Sequence, residues 1–282
     1  MFRQPGGVQW DGARWVPNAA AENLANLPAG YYERQLAGQS HDWIRIYLAN
    51  EPGFVLDGRP VYPEFFASVH VAPEPIAPVP GAPVVIGLDF GLTPAAVFCQ
   101  RTSQGRWLVL AELVAEDMGA VRFSEQLAAH IAAWFPGFTC TAWGDPADSR
   151  SQTDERSCLD IVRAVAKIPA RKAPTNSFTP RREAVAGALN RLIDGNPGFQ
   201  LAPGCTMLRK GFAGGYHFRR VKVAGDERFH DAPDKNAYSH PHDALQYALS
   251  GGGEVRALTG PRVPSLASRP IVAETDFNVW SQ

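Results

Sequence analysis

The chain has 282 residues, 45% of them hydrophobic, with 27 basic and 28 acidic residues and a formal charge of −1. That suffices for one large core with appendages or two small domains, and the near-neutral balance excludes a globally basic nucleic-acid binder while leaving room for a local patch. No apolar run reaches the roughly 20 residues that a membrane span needs, the first residues lack an apolar signal core, and Cys99, Cys140, Cys158 and Cys205 are scattered without a C-x-x-C, so the expectation is a soluble intracellular protein with reduced thiols.

Residues 1–28 are polar and broken by Gly and Pro. Tyr31, Tyr32, Gln35 and Leu36 then predict a short helix, and Ser40 caps a second that carries Trp43, Ile44, Tyr47 and Leu48 at helical spacing. Asp57-Gly58, between Phe54-Val55-Leu56 and Val61-Tyr62, is a hairpin signal. Pro73, Pro75, Pro78, Pro80 and Pro83 mark a stiff connector, and a boundary is set there. Strands over 84–90, 95–101 and 106–113, joined by tight turns, make an antiparallel meander.

Phe123, Leu127, Ile131 and Trp134 form the stripe of an amphipathic helix over 120–135 that Pro136-Gly137 ends. A strand over 138–144 follows, then a helix capped by Thr153 whose buried face is Leu159, Val162 and Val165, then a short strand near 167–171. Thr179-Pro180 starts a further helix, and residues 211–230 read as a hairpin turning at Ala224-Gly225-Asp226. Ser239-x-Pro241 opens a last helix, which Gly251-Gly252-Gly253 ends. The order predicts an α/β fold, a mixed sheet with an antiparallel half and a parallel half, flanked by helices.

Three acids stand out. Asp89 ends the apolar run Val84-Val85-Ile86-Gly87-Leu88; Asp145 follows Ala142-Trp143-Gly144; Asp243 lies in a helix whose neighbours Ala244, Leu245, Tyr247, Ala248 and Leu249 are largely apolar. Singly, each has a plainer reading: a solvated strand end, the turn former of an Asp-Pro pair, and an acid complementing a helix N-terminus. A carboxylate buried without a counter-charge is costly, and a cation or an arginine is the remedy. If the fold gathers the three, hard oxygen ligands favour Mg²⁺ or Mn²⁺, and two such ions at roughly 3.5–4 Å hydrolyse phosphodiesters. Asp89 would bridge both ions, with Asp145 and Asp243 each completing one shell. Asp148 and His242 are auxiliary candidates.

The span from Arg163 to Lys222 holds twelve basic residues and two acids. Such asymmetry points to a polyanion partner, although charge blocks are often only solvated faces. Arg181, Arg182, Lys210, Arg219, Arg220 and Lys222 are the candidates for DNA contact, with Tyr216, His217 and Phe218 interleaved.

Ile86-Gly87-Leu88-Asp89-Phe90-Gly91, the Gly144-Asp145-Pro146 turn with Gln152-Thr153-Asp154-Glu155-Arg156, and Lys235-Asn236-x-Tyr238-Ser239-His240-Pro241-His242-Asp243-Ala244-Leu245-Gln246-Tyr247 together resemble the nuclease part of the large terminase subunit of tailed bacteriophages. Asn26-Leu27-Pro28-x-Gly30-Tyr31-Tyr32-Glu33, running on to Val61-Tyr62-Pro63-Glu64-Phe65, resembles the segment joining that family's motor to its nuclease. The resemblance implies an RNase H-like fold, a two-metal endonuclease cutting concatemeric double-stranded DNA, and Asp89, Asp145 and Asp243 as the metal-binding acids. Some members use a further acid beside the third; here the neighbour is His242. It implies as partners an ATPase half, a small terminase subunit and a portal protein, in the bacterial host's cytoplasm.

The motor's G-x-x-x-x-G-K-[S/T] phosphate cradle is absent from this sequence, so the chain reads as the C-terminal half alone, a fragment or a split gene. The expected division is a connecting segment over 1–80, a nuclease domain over 81–253 and an extended or disordered tail over 254–282. A resolvase- or transposase-type nuclease shares the acid logic. Asp89-Phe90-Gly91-Leu92-Thr93 also resembles the first phosphate loop of actin-like ATPases, but that architecture needs a second loop, and Gly251-Gly252-Gly253 follows a helix rather than a strand. A module that docks a partner without cutting is a further alternative.

Overall fold

Strand β5, Ala95–Arg101, is buried along almost its whole length, as the apolar run Ala95–Cys99 requires of a central strand. The computed structural model describes residues 5–22, 26–36, 44–50, 58–91, 93–147, 156–221 and 228–259. Around β5 a six-stranded mixed sheet runs in the order β11-β6-β5-β4-β7-β8. Its other strands are β4, Val84–Asp89; β6, Trp107–Val114; β7, Cys140–Gly144; β8, Ala170–Lys172; and β11, Phe199–Leu201. β4, β5 and β6 form the antiparallel meander, while β7 and β8 add in parallel beyond β4, and β11 adds in parallel beside β6.

Smaller pieces surround the sheet. Val8–Trp10 (β1) pairs with Trp15–Pro17 (β2), and Leu192–Ile193 (β9) with Asn196–Pro197 (β10). Gly58–Pro60 (β3), His217–Val221 (β12) and Arg228–Pro233 (β13) build a separate sheet in the order β13-β12-β3. The helices are α1, Tyr31–Leu36; α2, Ala67–His70; α3, Ala120–Trp134; α4, Cys158–Val165; α5, Phe178–Asn190; α6, Thr206–Lys210; α7, Ser239–Gly251; and α8, Glu254–Thr259.

Strand alternation splits the core in two. Ile86, Leu88, Ala96, Phe98 and Ala142 face Phe123 and Leu127 of α3 and Leu159 and Val162 of α4. Ala95, Val97, Cys99 and Val109 face Val185 and Leu189 of α5, Leu208 of α6 and Leu245 and Ala248 of α7. Eleven of the thirteen α7 residues are buried, so this helix is a core element. Glu254 of α8, only 1% exposed, pins the end of α7 to the sheet. It accepts from Trp107 Nε1 at 2.9 Å and from both Arg191 guanidinium nitrogens at 3.1 and 2.6 Å, with Arg101 at 3.3 Å. Burial pushes this carboxyl up, but the Arg191 and Trp107 hydrogen bonds and the arginine charges outweigh it and hold it below the usual value.

Several local expectations shift. α4 is capped by Ser157, not Thr153. The Ser157 hydroxyl accepts from the Asp160 N–H and the Asp160 carboxylate accepts from the Ser157 N–H, each at 3.2 Å, a reciprocal cap that a more distant hydroxyl cannot make. The first strand and the Asp57 turn of the hairpin expected at Asp57-Gly58 lie outside the described residues, and β3 pairs with β12 across more than 150 residues of sequence. Gly211–Gly215 is a π-helical turn rather than a strand, and the expected hairpin turn lies outside the described residues. No helix among the described residues is long and apolar enough to cross a membrane.

Candidate functional site

The register of β4 against β7 brings the first two acids together. The strands are parallel, with Leu88 opposite Gly144, so Asp89 and Asp145 are the next residues at the same sheet edge. Leu88 and Ala142 point to the α3/α4 side; alternation therefore turns Asp89, Trp143 and Asp145 to the α7 side, where Trp143 packs against Gly251.

Asp243 arrives from the helix lying on that face. Gly87 lets it approach: a Cβ there would sit 1.8 Å from the Ala244 carbonyl oxygen, a contact no side chain tolerates. His240, Asp243 and Tyr247 fall at i, i+3 and i+7 on one stripe of α7, above the end of β4. His240 Nδ1 lies 2.8 Å from Asp89 Oδ2.

The acids share one electrostatic neighbourhood. Burial raises the Asp89 carboxyl above its usual range; the His240 hydrogen bond opposes this, and the negative charge of Asp243 reinforces it. Burial also pushes the Tyr247 phenol up against the opposing Arg181 charge, and Asp145, Asp243 and Asp89 each push further in the same direction. Asp243 is 3% exposed. The protein's own cations neutralise it: Arg181 Nη1 at 3.3 Å from Oδ1, and Lys235 Nζ at 2.5 Å from Oδ2, with the Tyr216 hydroxyl 3.5 Å from Oδ1. The Lys235 side chain is 73% exposed and reaches in from solvent. Arg181 lies over the Tyr247 ring at 4.6 Å, and Asn176 Oδ1 accepts from the Tyr247 hydroxyl at 3.1 Å.

Among the described residues no group of three or more His, Cys, Asp or Glu side chains stands ready to hold a metal ion. Lys235 and Arg181 occupy both Asp243 oxygens, His240 covers Asp89, and Asp145 Oδ1 accepts from the Ala147 N–H at 2.7 Å, closing the Asp-Pro turn. The donors match a hard divalent cation in kind, since all three are carboxylate oxygens, and a cation at Asp243 would have to displace Lys235 or Arg181.

The auxiliary and basic candidates fare differently. His242 is fully buried, stacked on Tyr216 at 4.8 Å and set edge-on to Phe212 at 4.5 Å. Burial pushes it down to about 3, against small opposing effects of the Leu208 backbone and Asp243, so it is neutral. Gly211 is required beside it, because a Cβ there would lie 2.1 Å from His242 Nε2. Arg181 is buried against Asp243 rather than displayed to DNA, and Arg182 is held by Glu64, Glu183 and the Val61 carbonyl. Arg219 pairs with Asp234. Lys210 and Arg220 are exposed. Asp148 and Lys222 lie outside the described residues. Sequence reasoning passed over Lys235 and preferred His242 to His240; helical spacing from Asp243 was the available signal, since i−3 shares its face and i−1 does not.

No protein-family model and no curated protein matches the chain. Solved structures do. The large terminase of a thermophilic bacteriophage aligns at a TM-score of 0.51 with 18% identity over 80% of this chain and 52% of its own. The nuclease domain of the P22 large terminase aligns at 0.48, with 11% identity over 71% of this chain and 97% of that one. The large terminase nuclease of thermophilic phage G20c, with bound cobalt, aligns at 0.44, with 14% identity over 68% and 97%. This chain spans about half the length of the first of these. Its six-stranded mixed sheet flanked by helices is the expected RNase H-like fold, shared with the large terminase of the thermophilic bacteriophage.

Proposed function

We propose that this chain is a divalent-metal-dependent DNA endonuclease of the phage terminase type, cutting concatemeric double-stranded DNA in the bacterial cytoplasm. What supports the reading is that Asp89 and Asp145 follow paired positions of β4 and β7 on one face, and that His240, one turn before Asp243 on the buried helix α7, lies 2.8 Å from Asp89. Those three carboxylates would hold Mg²⁺ or Mn²⁺, two ions in number. Such a pair supplies a nucleophilic hydroxide from water and stabilises the leaving oxygen of a phosphodiester. The chain's own groups do the rest. Arg181, clamped between Asp243 and Tyr247, fixes the Asp243 carboxylate, and His240 orients Asp89. Lys235, on its exposed stem, can swing from Asp243 to a phosphate oxygen without unpacking the core. Acting in packaging, the chain would work with an ATPase half, a small terminase subunit and a portal.

The test is nicking and linearisation of supercoiled plasmid with Mn²⁺ or Mg²⁺. The wild-type chain should cut, EDTA should stop it, and Asp89→Asn and Asp243→Asn should each abolish cutting while keeping a cooperative thermal transition. Cutting undiminished in either variant overturns the assignment.

A further inference from the structure

The cleft between the small β13-β12-β3 sheet and the first turn of α5 carries chemistry that the three acids do not use. Its volume is about 740 Å³, within the range of ligand sites. The Arg59 guanidinium lies across its aromatic face, 5.0 Å from the Phe218 ring centre and 5.5 Å from that of Phe229. Phe218 is braced in turn by edge-on contact with Phe178 at 5.9 Å. Arg59 is thus held beside two aromatic rings at cation–π distance, a contact in which arginine and lysine are not interchangeable. Arg228 lines the same cleft.

Charge distinguishes these two arginines from their neighbour. Arg182 also lines the cleft but is paired with Glu64 and Glu183. Arg59 and Arg228 make no ion pair among the described residues, and Asp231 is the one acid of the described lining. The cleft is also next to the acids: Arg181 turns to Asp243 while Arg182, one residue on, turns to the cleft.

We propose that this cleft binds an unpaired stretch of nucleic acid, a backbone phosphate between Arg59 and Arg228 and a base against the Arg59–Phe229 face. The choice of polyanion rests on the nuclease reading. A single strand is favoured because its splayed bases offer π faces to aromatic and guanidinium planes, whereas a duplex keeps them stacked inside and offers only phosphates.

The experiment is fluorescence anisotropy of the full chain in EDTA. It compares a labelled duplex bearing an oligothymidine overhang with the same duplex blunt-ended. The overhang substrate should bind roughly tenfold tighter. Arg59→Ala and Arg228→Ala should each remove most of that preference and leave blunt-duplex affinity within about twofold, with the slope of log affinity against log salt falling by about one on the overhang only. Arg59→Lys should restore the salt slope but not the preference. Equal binding of the two substrates by the wild-type chain overturns the proposal, and so does a preference that survives both alanine variants at unchanged melting temperature. Should Arg59→Ala fail to fold, Arg228→Ala carries the test alone. The outcomes separate from those of the nuclease reading. Plasmid cutting without overhang preference sinks the cleft and spares the enzyme; overhang preference without metal-dependent cutting does the reverse.

Discussion

Gly87→Ala is the perturbation that most cleanly tests how the acids are brought together. The new Cβ would lie 1.8 Å from the Ala244 oxygen, 2.7 Å from its carbonyl carbon and 2.9 Å from the Ala248 nitrogen. All three are backbone atoms of α7, so no side chain can swing aside. Helix α7 would have to retreat by roughly 1.5 Å to restore ordinary contact. Overpacking of this kind costs about 1–3 kcal/mol, and the upper end is expected because eleven of thirteen α7 residues are buried. A loss of about 3 kcal/mol lowers the melting midpoint by about 6–12 °C in a chain of this size. The same retreat lifts Asp243 away from Asp89. Displacements of about 1 Å cost on the order of 10²-fold in rate, so plasmid cutting should fall that far at temperatures where the variant is folded. Gly204→Ala, with nothing within 4 Å of its Cβ, is the control and should stay within about 0.5 kcal/mol. A Gly87→Ala midpoint equal to that of Gly204→Ala would refute the close approach of α7 to β4.

Three further outcomes follow from the same contacts. Glu254→Gln leaves Arg191 and Arg101 facing a neutral amide and should cost about 3 kcal/mol at neutral pH by urea denaturation. Because the Glu254 carboxyl is held below its usual value, its contribution is present above pH of about 4.5 and is lost as pH falls through the lowered value; a penalty that grows on acidification would contradict this. Ser157→Ala removes one half of the α4 cap and should cost about 1 kcal/mol, read as a shift in melting temperature; no shift would mean that the cap does not hold the helix. His242→Phe should keep metal-dependent cutting within a few-fold while His240→Ala loses more, since only His240 touches Asp89; the opposite ranking would put the reactive face of α7 on the wrong side.

The sheet was legible because its signals are local. Val84–Asp89, Ala95–Arg101 and Trp107–Val114 are largely apolar runs broken by turn residues, whereas it takes the register of β4 against β7 to put Asp89 and Asp145 on one face. The contacts that set the site were not legible, because they join distant residues. Arg181 meets Asp243 across 62 positions, and from sequence it belonged to a basic run that suggested a DNA-facing surface. Burial separates it from Arg219 and Arg220, and burial depends on which helix covers which strand. His242 shows a related limit: a helix turns sequence neighbours about 100° apart, so it meets Asp243 only through Tyr216, on which it stacks. The cleft arginines illustrate the limit most sharply, since Arg59 meets Phe218 only through a pairing of β3 with β12 that no turn signal announces.

The account stands or falls on whether the three carboxylates share a cation. A crystal of the full chain soaked in Mn²⁺, read by anomalous scattering, tests this directly. The expected result is manganese bound by Asp89, Asp145 and Asp243 together, with the Lys235 ammonium withdrawn from Asp243. Manganese bound elsewhere, or an unmoved Lys235–Asp243 pair at saturating Mn²⁺, would contradict it.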